Sequence, residues 1–342
     1  MSSDIATVTT LKAPLAQTLE FVAYHLHRGV DHMYLFFDDP RDPAFDQLRG
    51  EKQLTCVPCD HAHWEALSVP AEAAVQTRQQ ANATAAFNMA SAANAEWLVH
   101  IDVDELLHAR GSLSRVFTSA PPAADVILFP VKEALPQDWT YERPLREIDL
   151  FKYDPVQPWQ VNSVERSPLR AIWHRLQSHW LYRRRRVAQR LACLHPSLLA
   201  GYYLGYPFGK AATRTSAPVD AIGNHLPALE TGRPLRIHAR HGGTVLHFDC
   251  MGYAHWKTKW SRRINDPSLF DLDRFRDDRK RILDLFRVAT ERGEAALRDL
   301  YARLYHLPLK ERLVLSGLGL VQRIKLNPSW FAASSAFRVS HQ

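Results

Sequence analysis

No stretch of this 342-residue chain is long and apolar enough to read as a membrane span. The longest uncharged apolar run, Leu313 to Val321, is broken by Ser316, Gly317 and Gly319 and falls far short of the roughly 20 residues that a spanning helix requires. Met1 to Lys12 lacks the basic start, apolar middle and small-residue cleavage site of a secretory signal, so a cytoplasmic address is expected. Cysteine is scarce, with four residues, and in that compartment a disulfide framework is not expected. No fixed-period repeat or low-complexity tract is present, which argues against solenoids and disordered arrays.

Hydrophobic residues, by contrast, make up 46% of the chain, ample for a sizeable core. The net charge of +7 conceals an asymmetry: residues 1–110 hold 7 Lys/Arg and 15 Asp/Glu, while the remainder hold 36 and 21. An acidic first part suits a metal, and a basic second part suits an anionic substrate, nucleic acid or lipid surface.

The first 131 residues read as alternating strands and helices. Ile5 to Leu11 is β-rich, and Leu15, Leu19, Val22 and Leu26 recur at helical spacing after Pro14 and before Gly29. Met33 to Phe37 is a second strand, ending at Asp38-Asp39-Pro40, a turn signal. Leu54 to Val57 is a weaker strand candidate. An Ala-rich helix is expected over 71–94, then strands over 97–103 and 126–131. This alternation predicts an α/β fold with a mostly parallel sheet and helices on both faces. Ligands in such sheets sit beyond the carboxyl ends of the strands, where Asp38, Asp39, Asp102 and Asp104 fall.

Residues 132–240 predict loops, short strands and a substrate-facing surface, and Thr244 to Phe248 is again strand-like. Helices are expected over Leu272 to Ala289, Ala295 to Tyr305 and 308–325. The implied domains are 1–265, with halves at 1–131 and 132–265, and a helical C-terminal extension over 266–342.

Trp97 to Glu105 is the most informative stretch: an apolar run ends in Asp102 and Asp104. On a continuing strand these two side chains share one side, and paired carboxylates repel unless a cation lies between them. Hard oxygen donors suit Mg²⁺ or Mn²⁺, with water and substrate phosphates filling the remaining positions. Cys56, Cys59, His61 and His63 resemble a zinc cluster, but their packing is tighter than finger spacing and Cys56 reads as a small hydrophobe in a strand. Lys210 and Arg214 have a spacing that meets phosphates, although solvated cations are the commoner outcome.

Thr9-Thr10-Leu11-Lys12, then Glu20 to Val30, the strand ending Phe37-Asp38-Asp39, and Trp97 to Leu106 together resemble GT-A-fold glycosyltransferases. The resemblance is to bacterial members of the family 2 and family 92 type, whose strand ends in Asp-Val-Asp-Glu or Asp-Ile-Asp-Glu. It implies a GT-A, Rossmann-like fold and inverting transfer of a sugar from a nucleotide-sugar to an acceptor hydroxyl in glycan or polysaccharide synthesis. It also implies Mn²⁺ or Mg²⁺ on the diphosphate.

By position, Thr10 and Lys12 fall near the nucleotide, Asp38 or Asp39 takes the base or ribose, and Arg78, Gln79 and Asn82 contact the donor. Asp102 and Asp104 hold the metal, with Asp102 also on the donor. His247 is the expected late metal ligand and His225 its rival. Lys257 would neutralise the departing diphosphate. The acceptor's base is expected at Glu133 or Asp249.

The expected partners are a nucleotide-sugar donor and a glycan or lipid-linked acceptor. Peripheral membrane contact is a further reading, through Lys310, Arg312, Arg323, Lys325, Trp330 and Phe331, against packing on the main domain. Two rivals are a nucleotidyltransferase and a basic nucleic-acid- or membrane-surface-binding protein. The first usually places a Gly-Ser turn where this chain has Asn88-Met-Ala-Ser91-Ala. The second leans on Arg183 to Arg186, for which a solvated or phosphate-facing patch is the stronger reading.

Overall fold

The computed structural model describes residues 4–153, 209–228, 236–238, 242–265 and 277–337, with isolated positions between 176 and 190. Arg184 and Arg185 lie outside the described residues, as does the start of the helix expected from Leu272; Arg183 and Arg186 are helical and exposed. The chain forms two compact units. The first comprises Met1–Pro130, Gly209–Leu246 and Leu326–Gln342, the second Val131–Phe208 and His247–Lys325.

The first unit has a Rossmann-like α/β fold. Its strands are β1 (Ile5–Leu11), β2 (His32–Phe37), β3 (Leu54–Pro58), β4 (Trp97–His100), β5 (Glu105–Ala109) and β6 (Val126–Phe129). In the second unit, β7 (Val131–Ala134) pairs antiparallel with β8 (Leu150–Lys152). The first unit resumes with β9 (Lys210–Arg214), β10 (Ala221–Ile222), β11 (Pro227–Ala228) and β12 (Ile237–His238); β13 is Gly243–His247. A seven-stranded sheet runs β12-β6-β9-β4-β1-β2-β3. All its neighbours pair parallel except β9, which is antiparallel to both β4 and β6.

The helices that position the site are α1 (Leu15–His27), α2 (Pro43–Leu48), α3 (His61–Ala66) and α4 (Val75–Ala92). On α4, Ala83, Ala86, Phe87 and Ala90 recur at helical spacing and pack with Ala6, Val8, Tyr34, Phe36 and Leu98 of the sheet. The β1 residues of opposite parity, Thr7 and Thr9, are fully buried too, so β1 is covered on both faces, as parallel strands require.

Two expected elements end early. The strand from Val126 stops at Phe129 because Pro130 has no N–H to give a ladder. The helix expected over 308–325 is Leu309–Gly317. Gly319, at φ +67°, follows the Leu318 cap, and the Leu320 and Gly319 N–H groups bond back to Leu315 O at 2.8 Å and Ser316 O at 2.9 Å. This paired closure stops a helix and brings its flanking apolar residues together, here Leu315 and Leu320 in one buried cluster. The chain then forms β14 (Val321–Arg323), which pairs antiparallel with β8.

The C-terminal aromatics pack on α1. Phe331 is fully buried with its ring 5.5 Å from that of Tyr24, and the Arg28 guanidinium lies 4.4 Å from the Trp330 ring. Phe331 is thus held in a protein pocket, and Trp330 beside it is half-buried. Among the described residues no helix is long and apolar enough to cross a membrane. Phe331→Ala, emptying this pocket, is expected to cost about 3–5 kcal/mol. Urea unfolding reads this directly, and a change below about 1 kcal/mol would contradict the packing.

Candidate functional site

The strand from Trp97 ends at His100, so strand alternation does not pair Asp102 with Asp104. Residues 102–105 form a turn instead, closed by the Glu105 N–H on Asp102 O at 2.9 Å. Glu105 returns the bond: its Oε2 accepts the Asp102 N–H at 2.9 Å. The Gln17 amide also reaches Val103 O, at 3.3 Å. The acids thus sit on a tight turn held by their own neighbours.

Lys210 is the first residue of β9 and stands opposite Phe129. Because β9 runs antiparallel between β4 and β6, its start lies at the carboxyl edge of the parallel strands. Its ammonium is 2.7 Å from Asp102 Oδ2 and 3.2 Å from Glu105 Oε2, with the side chain 1% exposed. A cation this buried is tolerable only when paired and hydrogen-bonded. Burial disfavours both ions, yet mutual attraction wins: it holds the Asp102 carboxyl below the usual carboxylate range and the Lys210 ammonium above its usual one. Arg214, at the other end of β9, is spent differently, paired with Glu96 and stacked 4.2 Å over Trp97.

Two histidines flank this pair. His100 Nδ1 lies 3.1 Å from Gly223 O, and His225 Nδ1 lies 2.9 Å from Gly209 O. A carbonyl only accepts, so each Nδ1 carries the proton. Burial first, and then Lys210, push the His100 value down to about 4 and that of His225 to about 3; both rings are neutral at pH 7. Glycine is required at both carbonyls. A Cβ on Gly209, at φ +67°, would strike Phe129 O, and one on Gly223 would strike Leu226 O.

Helix α4 supplies the other half of the site. Residues 78, 79 and 82 follow one another along one helix face, and each meets a different strand end. Arg78 NH1 pairs with Asp38 Oδ1 at 2.6 Å, beyond β2. Gln79 donates to Asp102 Oδ1 at 3.1 Å, beyond β4, and accepts from Asn224 at 3.3 Å. Asn82, fully buried, donates to Thr10 Oγ1 at 3.0 Å on β1. Lys12 adds a looser contact to Asp38 at 3.9 Å. Asp39 instead stays exposed in its turn, accepting the Arg41 N–H at 3.0 Å.

The cysteine and histidine group is dispersed. His63 Nε2 bonds Asn82 Oδ1 at 2.8 Å, Cys59 Sγ takes the Asn82 amide at 3.7 Å, and His61 is exposed beside Glu65. Burial pushes the Cys56 and Cys59 thiols up to about 12, whereas a zinc ligand must be a thiolate. Among the described residues no group of three or more His, Cys, Asp or Glu is placed to hold a metal ion. A Mn²⁺ or Mg²⁺ on Asp102 does not fit this donor set, since Gln79 and Lys210 already engage both of its oxygens.

In the second unit, Glu133 pairs with Lys152 at 2.9 Å and Asp249 with Lys259 at 3.0 Å; both carboxylates are buried. Lys257 pairs with Glu294 at 2.7 Å on the helix surface. His247 closes β13 and is buried.

The structure thus gathers Thr10, Lys12, Asp38, Arg78, Gln79, Asn82, Asp102 and His225 in the first unit and adds His100 and Glu105; Lys210, which the sequence offered to phosphates or to solvent, is buried against Asp102 instead. The sequence signal for Lys210 was a lysine opening the apolar run Ala211-Ala212, whose weight appears only once β9 is seen inserted between β4 and β6.

No family model matches the chain. A glycosyltransferase-like protein of Arabidopsis thaliana is 26% identical over 169 residues, covering 43% of this chain and 33% of that protein. A second, from the same plant, is 25% identical over 169 residues, covering 43% and 38%. The chain is similar to glycosyltransferase-like proteins, and spans about a third of the length of these relatives. HddC from Yersinia pseudotuberculosis aligns with a TM-score of 0.26 and 13% identity, over 40% of this chain and 65% of that one.

The neutral histidines set a pH dependence. An unfolded imidazole takes a proton near 6.5, whereas His25 and His100 do so only near 4. The unfolded chain therefore binds more protons between those values, and stability falls as pH drops from about 6.5 to 4. The thermal midpoint is expected to decline across that window; a flat profile would contradict neutral burial.

Proposed function

We propose that this chain is a GT-A-type glycosyltransferase, related to the family 2 and family 92 enzymes, that moves a sugar from a nucleotide-sugar to an acceptor hydroxyl in glycan or polysaccharide synthesis. The observation that carries the reading is the convergence of Asp38, Arg78, Gln79, Asp102 and Lys210 at the carboxyl edge of a Rossmann-like sheet, where nucleotides are bound. The similarity to glycosyltransferase-like proteins supports the same reading.

Each residue has a role that its surroundings support. Asp38, oriented by Arg78, accepts hydrogen bonds from a base or ribose hydroxyl, and Lys12 approaches the phosphates from the same end. Asn82 binds Thr10, Cys59 and His63, so it fixes the strand ends and does not contact donor. Gln79 and Lys210 orient Asp102 toward the donor. As the anomeric bond stretches, negative charge grows on the diphosphate, and fixed positive groups stabilise it best when they need not reorganise. The base for an inverting transfer is proposed to be Glu133 or Asp249. The acceptor is proposed to be a glycan or a lipid-linked one. No step is routed through a metal.

The test is a panel of nucleotide-sugars, read first by thermal shift and then by release of nucleoside diphosphate with a glycan acceptor. At least one is expected to raise the midpoint and turn over. Asp38→Asn is expected to lower affinity for that donor by about tenfold, the scale of one charged hydrogen bond, with the fold intact. Unchanged affinity would remove Asp38 from the site, and no response from any donor would contradict the assignment.

A further inference from the structure

A site with two adjacent carboxylates and no cation recruits one; here the cation is part of the chain. Lys210 Nζ stands 2.7 Å from Asp102 and 3.2 Å from Glu105, within hydrogen-bond reach of both acids. Gln79 holds the second oxygen of Asp102, and Glu105 Oε2 also takes a backbone N–H. Both Asp102 oxygens and Glu105 Oε2 are thus engaged by donors that the fold supplies, while Asp104 is half-buried on the same turn. A dication approaching Asp102 would also meet a fixed ammonium, and like charges repel strongly in a low-dielectric site.

Resting on the donor-site reading above, we propose that Lys210 is the resident counter-cation of the donor site. It offsets part of the negative charge of Asp102 and Glu105 and occupies Asp102 Oδ2 and Glu105 Oε2, so that a nucleoside diphosphate binds there without a divalent metal. The ammonium is 1% exposed, so it acts on a bound anion through its field and through the orientation of Asp102, itself 32% exposed. Lys210 is accordingly a positioning residue. Three features of the fold serve its placement: the antiparallel insertion of β9, the glycine at 209 that passes under Phe129 O, and the Asp102–Glu105 turn. His100 and His225, whose Nδ1–H groups are held by the Gly223 and Gly209 carbonyls, lie near enough for their protonation to oppose the ammonium, and both are neutral at pH 7.

The experiment titrates UDP and GDP into the full-length protein by calorimetry, once in EDTA and once in Mn²⁺. Wild type is expected to bind one of them with affinities that agree within about threefold in the two conditions. Lys210→Met, which keeps the stem and removes the charge, is expected to lose tenfold or more in EDTA and to regain it in Mn²⁺, because the freed acids then take the metal. That rescue is a response that mere loss of packing does not produce. A wild-type affinity that rises tenfold or more with Mn²⁺ overturns the proposal, and this arm stands even if the variant does not fold.

Should neither nucleotide bind under any condition, the donor reading fails separately, and the lysine is judged on Mn²⁺ alone. Water-proton relaxation is then expected to show saturable Mn²⁺ binding to Lys210→Met and none to wild type; saturable binding to wild type overturns the proposal.

Discussion

A buried ammonium must find carboxylates, and much of the first unit is arranged to satisfy that requirement. Lys210 is almost wholly inaccessible; placed there alone it would deprotonate or unfold the site. Its partners come from the turn that ends β4, and its own position comes from a strand running against its neighbours. Gly209 and Gly223 are needed because the backbone approaches itself too closely for any side chain. Their carbonyls then fix the tautomers of the two flanking histidines. A charge, a strand direction, two glycines and two protonation states are therefore parts of one constraint.

Helix α4 transmits that order along the sheet edge. Its alanine-rich face packs on β1, β2 and β4 with little side-chain entropy to lose, and one turn earlier the same helix presents Arg78, Gln79 and Asn82 to three strand ends. Spacing on a single rigid helix thus sets the relative positions of Asp38, Thr10 and Asp102. A site held this way is preorganised, which is what recognition of a charged donor and stabilisation of a leaving diphosphate both call for.

The α/β alternation was legible because it is written in local periodicity: the strands at 5–11 and 33–37, the Ala-rich helix, and the apolar run from Trp97 fall where the pattern puts them. The end of that run was harder. Strand alternation placed Asp102 and Asp104 on one side, but the strand stops at His100, since the Glu105 carboxylate captures the Asp102 N–H and turns the chain. A side chain competing for a backbone donor leaves no periodic trace. Lys210 was difficult for another reason: its neighbours lie some 105 residues away in sequence, and only the insertion of β9 brings them together. The helix expected over 308–325 likewise stops at Gly317, closed by Gly319 in the left-handed region; that glycine was visible in the sequence and was the signal to stop.

The carboxyl edge of the seven-stranded sheet is proposed to receive a nucleotide-sugar. Hydrogen exchange on the full-length protein, with and without the donor that most raises its thermal midpoint, tests it most directly. Protection concentrated in residues 10–12, 38–39, 78–82, 100–105 and 209–225 is the predicted result. Protection confined to other segments, with these unchanged, would contradict the account.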